Sequence, residues 1–512
     1  MAAVLKKQTT TTTPHVVFLP YAMTSHITPL VHIARLFAYH DLRVTIITTP
    51  HNALIFQSSI DNDHRLVPGC NISVQTLKFP SDEVGLPDGV ENFSASPSLE
   101  IAGKVHYGFF FLLQEPMEQL IRNLNPQCIV SDMFFPWTVD LAEELNIPRY
   151  SFQPANFFVQ CVWHCLREYT PHEKVALDSD DQSFLIPGLP HEIKMKLSEI
   201  EDFFLEDNFS RETYKAVREA ELRSQGVIHN TCSELEPEYV DIYENIRGVK
   251  GWHVGPTFLF INELEKSQNS NPTCFDDPWK NCGDCLNWLE DQEPNSVLFV
   301  CFGSSVRFSN DQLKEIALAL NATKCPFILV AKEQGGKNQL EEKDDNKYGD
   351  WWQLDSFKEL VVNNKRCFIV KGWAPQVLIL EHRAIGGFLT HCGWNSVLEA
   401  LTMGIPLITW PLFAEQFYNQ KLLVLLGLAI GVGSDVWNSG FIVSSPVVSR
   451  DKIELAIERL MYDSEESRKI RANTKLIAKK VKSSADEGGS SHSHLIALIE
   501  EIKRCATFNS SP

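Results

Sequence analysis

Short apolar runs alternate with segments of helical spacing along most of the chain. Residues 15–20 (HVVFLP) form the first run. It leads into a polar loop, YAMTSHITP, then into LVHIARLFAYH, whose apolar residues recur at helical intervals, and then into RVTIITTP, rich in β-branched residues. Strand, loop, helix and strand in that order make the unit from which parallel sheets are built. Residues 128–132 (CIVSD) open a second unit, with a helix predicted through TVDLAEELN and a short strand at RYSF. The alternation runs on to residues 226–231 (GVIHNT) and the helix after them.

Beyond residues 252–256 (WHVGP) the pattern breaks. FINELEKSQNSNPTCFDDPWKN is polar and carries turn residues, as a linker does. Residues 296–304 (SVLFVCFGS) open a second series: a helix at NDQLKEIALALNA, a strand at FILVAKE and a charged surface loop, GGKNQLEEKDDNKYGD. CFIVKGWAP, a helix through VLILEHR, GGFLTH and PLITWP follow, and the tail from residue 449 has helical spacing. The expected organisation is a disordered leader (1–13), a first α/β domain (14–256), a linker (257–295), a second α/β domain (296–480) and a helical tail (481–512) packed back on the first domain. Ligands of parallel α/β sheets bind beyond the carboxyl ends of the strands, so two such halves predict a cleft lined by strand-end loops.

Composition narrows the partners. With 512 residues, 44% of them hydrophobic, the chain can build two or more sizeable cores. Its 46 Lys+Arg stand against 65 Asp+Glu, a net charge of -19 that repels nucleic acid and anionic membrane. The 13 cysteines form no regular framework, as in reduced cytosolic chains. Cys282 and Cys285 make one CxxC with no second pair at zinc-ribbon spacing, so no metal or redox role is expected of them. MAAVLKKQTTTTTP lacks the apolar core of a signal peptide, and the longest apolar run, residues 422–432, is too short to span a bilayer. Without a secretory signal, the sequons at Asn71, Asn92, Asn208 and Asn321 read as chance matches. The expectation is a cytoplasmic monomer with no integral membrane segment.

The candidate chemistry lies in the strand-end loops. HCGWNS (391–396) follows the strand GGFLTH and precedes a helix ending at Gly404. Ser396 and Glu399 have the spacing of a capping box, which predicts a helix start there. The same helix start offers free N–H groups and a positive dipole to a phosphate. Gly393 permits close backbone approach, and His391, Asn395 and Ser396 can donate hydrogen bonds. On this stretch alone, phosphate cradle, plain cap, metal site and reactive thiol all stay open. No further metal ligands stand nearby, and Cys392 has the character of a small buried thiol.

Neighbouring loops favour the phosphate. Trp373 and Gln376 lie in GWAPQ at another strand end, where a tryptophan can stack on a base. Ser304 in CFGSS stands beside a glycine at the first strand end of the second half, and Glu415 and Gln416 in PLFAEQ suit sugar hydroxyls. Base, diphosphate and sugar each have a host, which together describe a nucleotide-sugar site. In the first half His26 lies in the loop after the first strand and Asp132 at a separate strand end. An aspartate that orients a histidine makes the imidazole a better base. His32, His40 and His51 lack such a partner and read as structural.

These residues carry a family likeness. WAPQVLILEHRAIGGFLTHCGWNSVLEALTMGIPLITWPLFAEQ (373–416) resembles, without a gap, the donor-binding box of plant family 1 UDP-glycosyltransferases. SHITPLVHIARLFA, TIITTPHNA, FPSDEVGLPDGVEN, IVSDMFFPWTVDLAEELNIPR and FGSS resemble the subgroup acting on flavonoids, triterpenoids and related plant aglycones. The resemblance implies an α/β GT-B fold of two Rossmann-like domains, with the acceptor in the first and the UDP-sugar in the second. It implies that Trp373 stacks on uracil, Ala374 offers backbone contacts, and Gln376 and Glu399 hold ribose. His391, Asn395, Ser396 and Ser304 would take the diphosphate, with Trp394, Glu415 and Gln416 at the sugar, and Gln416 favours glucose. His26 carries over as general base and Asp132 as its partner, in a single inverting displacement onto a small lipophilic acceptor. The UDP-sugar is a co-substrate, and neither metal nor cofactor is expected. UDP-glucuronic acid or UDP-galactose as donor, and a non-catalytic binder, are the alternatives. The chain departs from the family in AMTSHITP before the histidine, in Leu329 where tryptophan is usual, and in FQPANFF, which lacks an HGT-like triplet. These departures bear on acceptor choice.

Overall fold

The computed structural model describes residues 13–93, 98–176, 182–267, 282–331, 355, 357, 366–440 and 443–509. The leader to residue 12, the centre of the expected linker and the charged loop 335–350 lie outside these residues. The first half holds β1 (His15–Leu19), β2 (Arg43–Thr48), β3 (Ile72–Thr76), β4 (Cys128–Asp132), β5 (Arg149–Gln153), the antiparallel pair β6 (Ser183–Ile186) and β7 (Ile193–Lys196), β8 (Gly226–His229) and β9 (Gly251–His253). Seven of them form a parallel sheet in the order β3-β2-β1-β4-β5-β8-β9. The second half holds β10 (Val297–Cys301), β11 (Phe327–Ala331), β12 (Cys367–Lys371), β13 (Ile385–Thr390), β14 (Leu407–Thr409) and β15 (Ala429–Gly431). They form a parallel sheet in the order β12-β11-β10-β13-β14-β15.

Both sheets are buried on two faces, which is why their strands read as unbroken apolar runs. In β1, Val16 and Phe18 join one apolar core while Val17 and Leu19 join another on the opposite face. In β10, Val297 and Phe299 face one core and Leu298 and Val300 the other. Leu329, where the family usually has tryptophan, is buried in that second core.

The strand orders place the site. Each sheet reverses direction at its first strand, so β1 lies between β2 and β4, and β10 between β11 and β13. Loops leaving two such neighbours on opposite sides open a crevice. The segment bearing His26 leaves β1 and Asp132 ends β4; the turn bearing Ser304 leaves β10 and His391 follows β13.

The expected linker is more regular than its polarity suggested. Helices Thr257–Ser267 and Cys282–Glu290 occupy its ends, because Phe260 and Ile261 bury against the first sheet and Cys285 and Leu289 against the second. Cys285 is thus part of a core, and the Cys282 side chain lies outside the described residues. The last helix, Ser490–Asn509, sets Leu495, Leu498, Ile499 and Ile502 into the core of the first sheet, at helical spacing. Among the described residues no helix is long and apolar enough to cross a membrane.

Candidate active site

His26 lies in the first turn of helix Thr24–Tyr39, not in a loop; its backbone N–H already bonds the Met23 carbonyl at 2.8 Å. The loop expectation took Pro29 and the polar residues before it for a non-helical stretch, yet the helix runs through Pro29, losing only the bond that a residue there would return to the Ser25 carbonyl. His26 Nδ1 meets Asp132 Oδ2 at 2.8 Å, and the two residues are 7% and 0% exposed. The other carboxylate oxygen of Asp132 accepts the Phe134 N–H at 3.1 Å. Phe134 stacks on the imidazole at 5.8 Å between ring centroids. With Nδ1 held by Asp132, Nε2 is the ring nitrogen left to face a substrate.

Residues of the HCGWNS loop touch the first half directly. Asn395 Nδ2 donates to the Ser25 carbonyl at 2.8 Å, one residue before His26, and Asn395 Oδ1 accepts from Asn230 Nδ2 at 3.1 Å. Trp394 Nε1 donates to the Asn230 carbonyl at 3.0 Å. Asn230 Oδ1 accepts the Thr257 N–H at 2.9 Å, which fixes its amide orientation. A third link joins Asn156 Nδ2 to Asn419 Oδ1 at 3.0 Å, while Asn419 Nδ2 donates to the Cys392 carbonyl at 3.0 Å.

The helix behind HCGWNS runs from Trp394 to Met403 with Gly393 as its cap residue, so Ser396 and Glu399 are its third and sixth residues and form no capping box. The helix begins early because Cys392, at φ +68°, turns the chain sharply out of β13. Ser396 and Glu399 instead receive Gln376, whose Nε2 donates to Ser396 Oγ at 2.9 Å and to Glu399 Oε2 at 2.6 Å. Burial raises the Glu399 carboxyl to about 7, and the Gln376 amide opposes that rise.

The His391 ring is wedged between two glycines. A Cβ on Gly303, itself at φ +79°, would stand 2.8 Å from the ring, and one on Gly393 would stand 2.5 Å from Nε2. Burial lowers the His391 imidazole to about 4, so at neutral pH it offers one N–H and no charge. Its Nδ1 has no hydrogen-bond partner among the described residues. Ser304 is half-buried in the adjoining turn, its Oγ 3.5 Å from that of Ser305.

Trp373 is 54% exposed beyond β12, while Ala374 is buried and its carbonyl accepts the Gln376 N–H at 2.8 Å. Gln416 Oε1 accepts the Leu412 and Phe413 N–H groups at 2.9 and 3.2 Å, which leaves its Nε2 as the donor for a ligand. Burial raises the Glu415 carboxyl, while its own backbone N–H, the nearby His26 and Asn419 pull it back. Cys392 is fully buried, and burial pushes its thiol far up, the opposite of a reactive cysteine.

Residues 288–439 match the family model described as UDP-glucoronosyl and UDP-glucosyl transferase. The chain is 45% identical over 500 residues to solanidine UDP-glucose glucosyltransferase 1 of Solanum tuberosum, covering 96% of this chain and 97% of the relative. It is 46% identical over 500 residues to nuatigenin 3-beta-glucosyltransferase of Solanum aculeatissimum, with the same coverage. The chain belongs to the UDP-glycosyltransferase family. Among solved structures, a Glycyrrhiza uralensis protein complexed with glycyrrhetinic acid 3-O-monoglucuronide superposes with a TM-score of 0.86 at 37% identity, covering 97% of both chains. A Medicago truncatula protein complexed with UDP-glucose gives 0.73 at 26% identity, covering 96% of this chain and 98% of that one. The fold is therefore GT-B.

Within this glycosyltransferase, several contacts at the site had no sequence signal. Asn230 and Asn156 lie at strand ends of the first half, in HNT and QPAN, and nothing local marks them as partners of Asn395 and Asn419. Phe134, two residues past Asp132, was within reach of the strand-end argument. His51 was expected to lack a carboxylate partner; the structure sets its Nδ1 3.4 Å from Glu91 Oε1, though the ring is half exposed and remote from the Asp132 pair. His32 Nδ1 meets Thr257 Oγ1 at 3.2 Å.

Proposed function

We propose that this glycosyltransferase moves glucose from UDP-glucose to a hydroxyl of a small polycyclic plant metabolite of the steroidal or triterpenoid class, giving a β-glycoside. The observation that carries the reading is the His26–Asp132 pair, buried beneath Phe134 and one residue from the Ser25–Asn395 contact with the donor loop. His26 Nε2 takes the proton of the acceptor hydroxyl as that oxygen attacks the anomeric carbon, and UDP leaves from the opposite face. Asp132 orients the ring through Nδ1 and stabilises the imidazolium that forms. The pairing of one carboxylate with one histidine suits a single displacement better than the two close carboxylates of a retaining glycosidase.

On the donor side Trp373 is the platform for uracil, Ala374 meets its edge, and Gln376 with Glu399 holds ribose. The helix start at Gly393–Ser396, with the neutral His391 and Ser304, receives the diphosphate as charge grows on it. Trp394, Glu415 and the Nε2 of Gln416 address the sugar. The named activities of the two Solanum relatives support glucose and a steroidal acceptor. The test is a panel of steroidal, triterpenoid and flavonoid alcohols with UDP-glucose, UDP-galactose and UDP-glucuronic acid at equal concentration, products mapped by NMR. A β-glucoside of a polycyclic alcohol is the expected product; preference for another donor, or an α-linkage, contradicts the reading.

A further inference from the structure

The aromatic wall beside His26 contains two polar groups without a hydrogen-bond partner among the described residues, the fully buried His106 Nε2 and a tyrosine hydroxyl that is less enclosed. Phe134, stacked on the catalytic imidazole, packs against Tyr21 at 4.7 Å and edge-on against Tyr214 at 6.1 Å. Tyr214 lies in helix Phe209–Leu222, whose start Asn208 caps by accepting the Arg211 N–H at 3.0 Å. Its ring is fixed on two further sides, stacked on Phe203 at 4.2 Å and edge-on to Trp163 at 5.6 Å. Apart from the buried His106 Nε2, the other polar groups of this wall are engaged. The Tyr21 hydroxyl meets His106 Nδ1, and the Glu201 carboxylate accepts from Trp163 Nε1 at 3.1 Å and from the Tyr418 hydroxyl. The Tyr214 hydroxyl has no hydrogen-bond partner among the described residues, and the residue is half-buried rather than closed off. A phenol tip held rigidly on apolar rings within two ring steps of the base presents a fixed donor to whatever fills the space above Phe134.

We propose that Tyr214 is a specificity-determining residue whose hydroxyl donates a hydrogen bond to a second oxygen function of the acceptor, distinct from the hydroxyl that receives the sugar. The proposal rests on the reading that the acceptor binds over His26. Burial and the nearby Glu201 and Glu415 carboxyls raise the Tyr214 hydroxyl well above its ordinary value, so it stays a neutral donor across the working pH range. A polycyclic alcohol with a second hydroxyl or carbonyl fits this wall in one orientation. An analogue without that oxygen leaves the Tyr214 donor unmatched.

The test uses pairs of steroidal alcohols that differ only in one hydroxyl or carbonyl remote from the glycosylated position, with UDP-glucose saturating. Wild type should favour the oxygenated member of one pair by about tenfold in kcat/KM, one net hydrogen bond. Tyr214→Phe, which keeps the ring contacts, should bring the oxygenated acceptor down to its deoxy partner and leave the deoxy value, the KM for UDP-glucose and the melting temperature unchanged. Preserved discrimination in the variant, or an equal loss on both acceptors, overturns the proposal while the functional reading stands. Failure of the wild type to glycosylate any polycyclic alcohol contradicts the functional reading and the proposal with it.

Discussion

The amide of Asn395 donates to the backbone carbonyl of Ser25 at 2.8 Å, so a residue of the HCGWNS loop grips the chain one position before His26, the proposed base. The carbonyl is open to this contact because Pro29, four residues on, has no N–H to return to it. Asn230 holds the opposite end of the same side chain. The proposed base and the helix start proposed for the diphosphate are thereby linked through one asparagine.

That link predicts a kinetic split at Asn230. Asn230→Asp keeps an acceptor for the Thr257 N–H but turns a carboxylate oxygen on Asn395 Oδ1, forcing the Asn395 amide to give up Ser25. We expect kcat to fall about tenfold, the worth of one to two hydrogen bonds. UDP affinity measured by calorimetry should stay within about twofold, because Asn230 belongs to the first half and not to the half proposed to bind UDP. Equal loss of kcat and UDP affinity would point to plain damage of the donor loop.

Trp373 predicts the reverse pattern. Its ring is half exposed and packs little, so Trp373→Ala should leave the melting temperature nearly unchanged. Base stacking on an aromatic ring is worth about 1–3 kcal/mol, so the KM for UDP-glucose should rise about tenfold or more. Trp373→Phe should recover most of that loss. A variant that loses stability and keeps its KM would remove Trp373 from the uracil site.

Glu201 joins the halves through Trp163 on one side and Tyr418 on the other, and burial pushes its carboxyl up to about 8 against the pull of the Tyr418 hydroxyl. An unfolded glutamate titrates near 4.5. Between roughly pH 4.5 and 8 the folded chain therefore holds a proton that the unfolded chain has released, and this group's contribution to stability falls as pH rises through that window. Glu201→Gln lacks the slope. The melting temperature of Glu201→Gln relative to wild type should climb from pH 5 to pH 8; a flat or falling difference contradicts the assignment. Glu236 and Glu399, also raised by burial, are common to both proteins and cancel.

Much of this architecture is legible in the chain. β1 and β10 are continuous apolar runs because they bury both faces, and all the expected donor residues but Ser304 cluster in one contiguous segment, 373–416. His26 and Asp132 were singled out beyond two separate strand ends, and the sheet order makes those strands neighbours, with His26 in a helix rather than a loop. What was not legible depends on geometry that spacing does not encode. The capping box at Ser396 and Glu399 failed because the left-handed turn at Cys392 starts the helix early, and those side chains take Gln376 instead. The linker looked irregular because its few buried apolar side chains, among them Phe258, Phe260, Ile261, Cys285 and Leu289, are outnumbered by polar residues. Asn230 and Asn395 are 165 positions apart, and only the closure of the two halves makes them partners.

The central claim is that His26 Nε2 is the base that activates the acceptor, and it is tested most directly by the turnover of His26→Ala set against its affinity for UDP. General-base catalysis contributes about 10²–10⁴-fold. The account predicts a loss of glucosyl transfer in that range with UDP binding within about twofold of wild type, and a smaller loss for Asp132→Asn. Near-normal turnover by His26→Ala would contradict it.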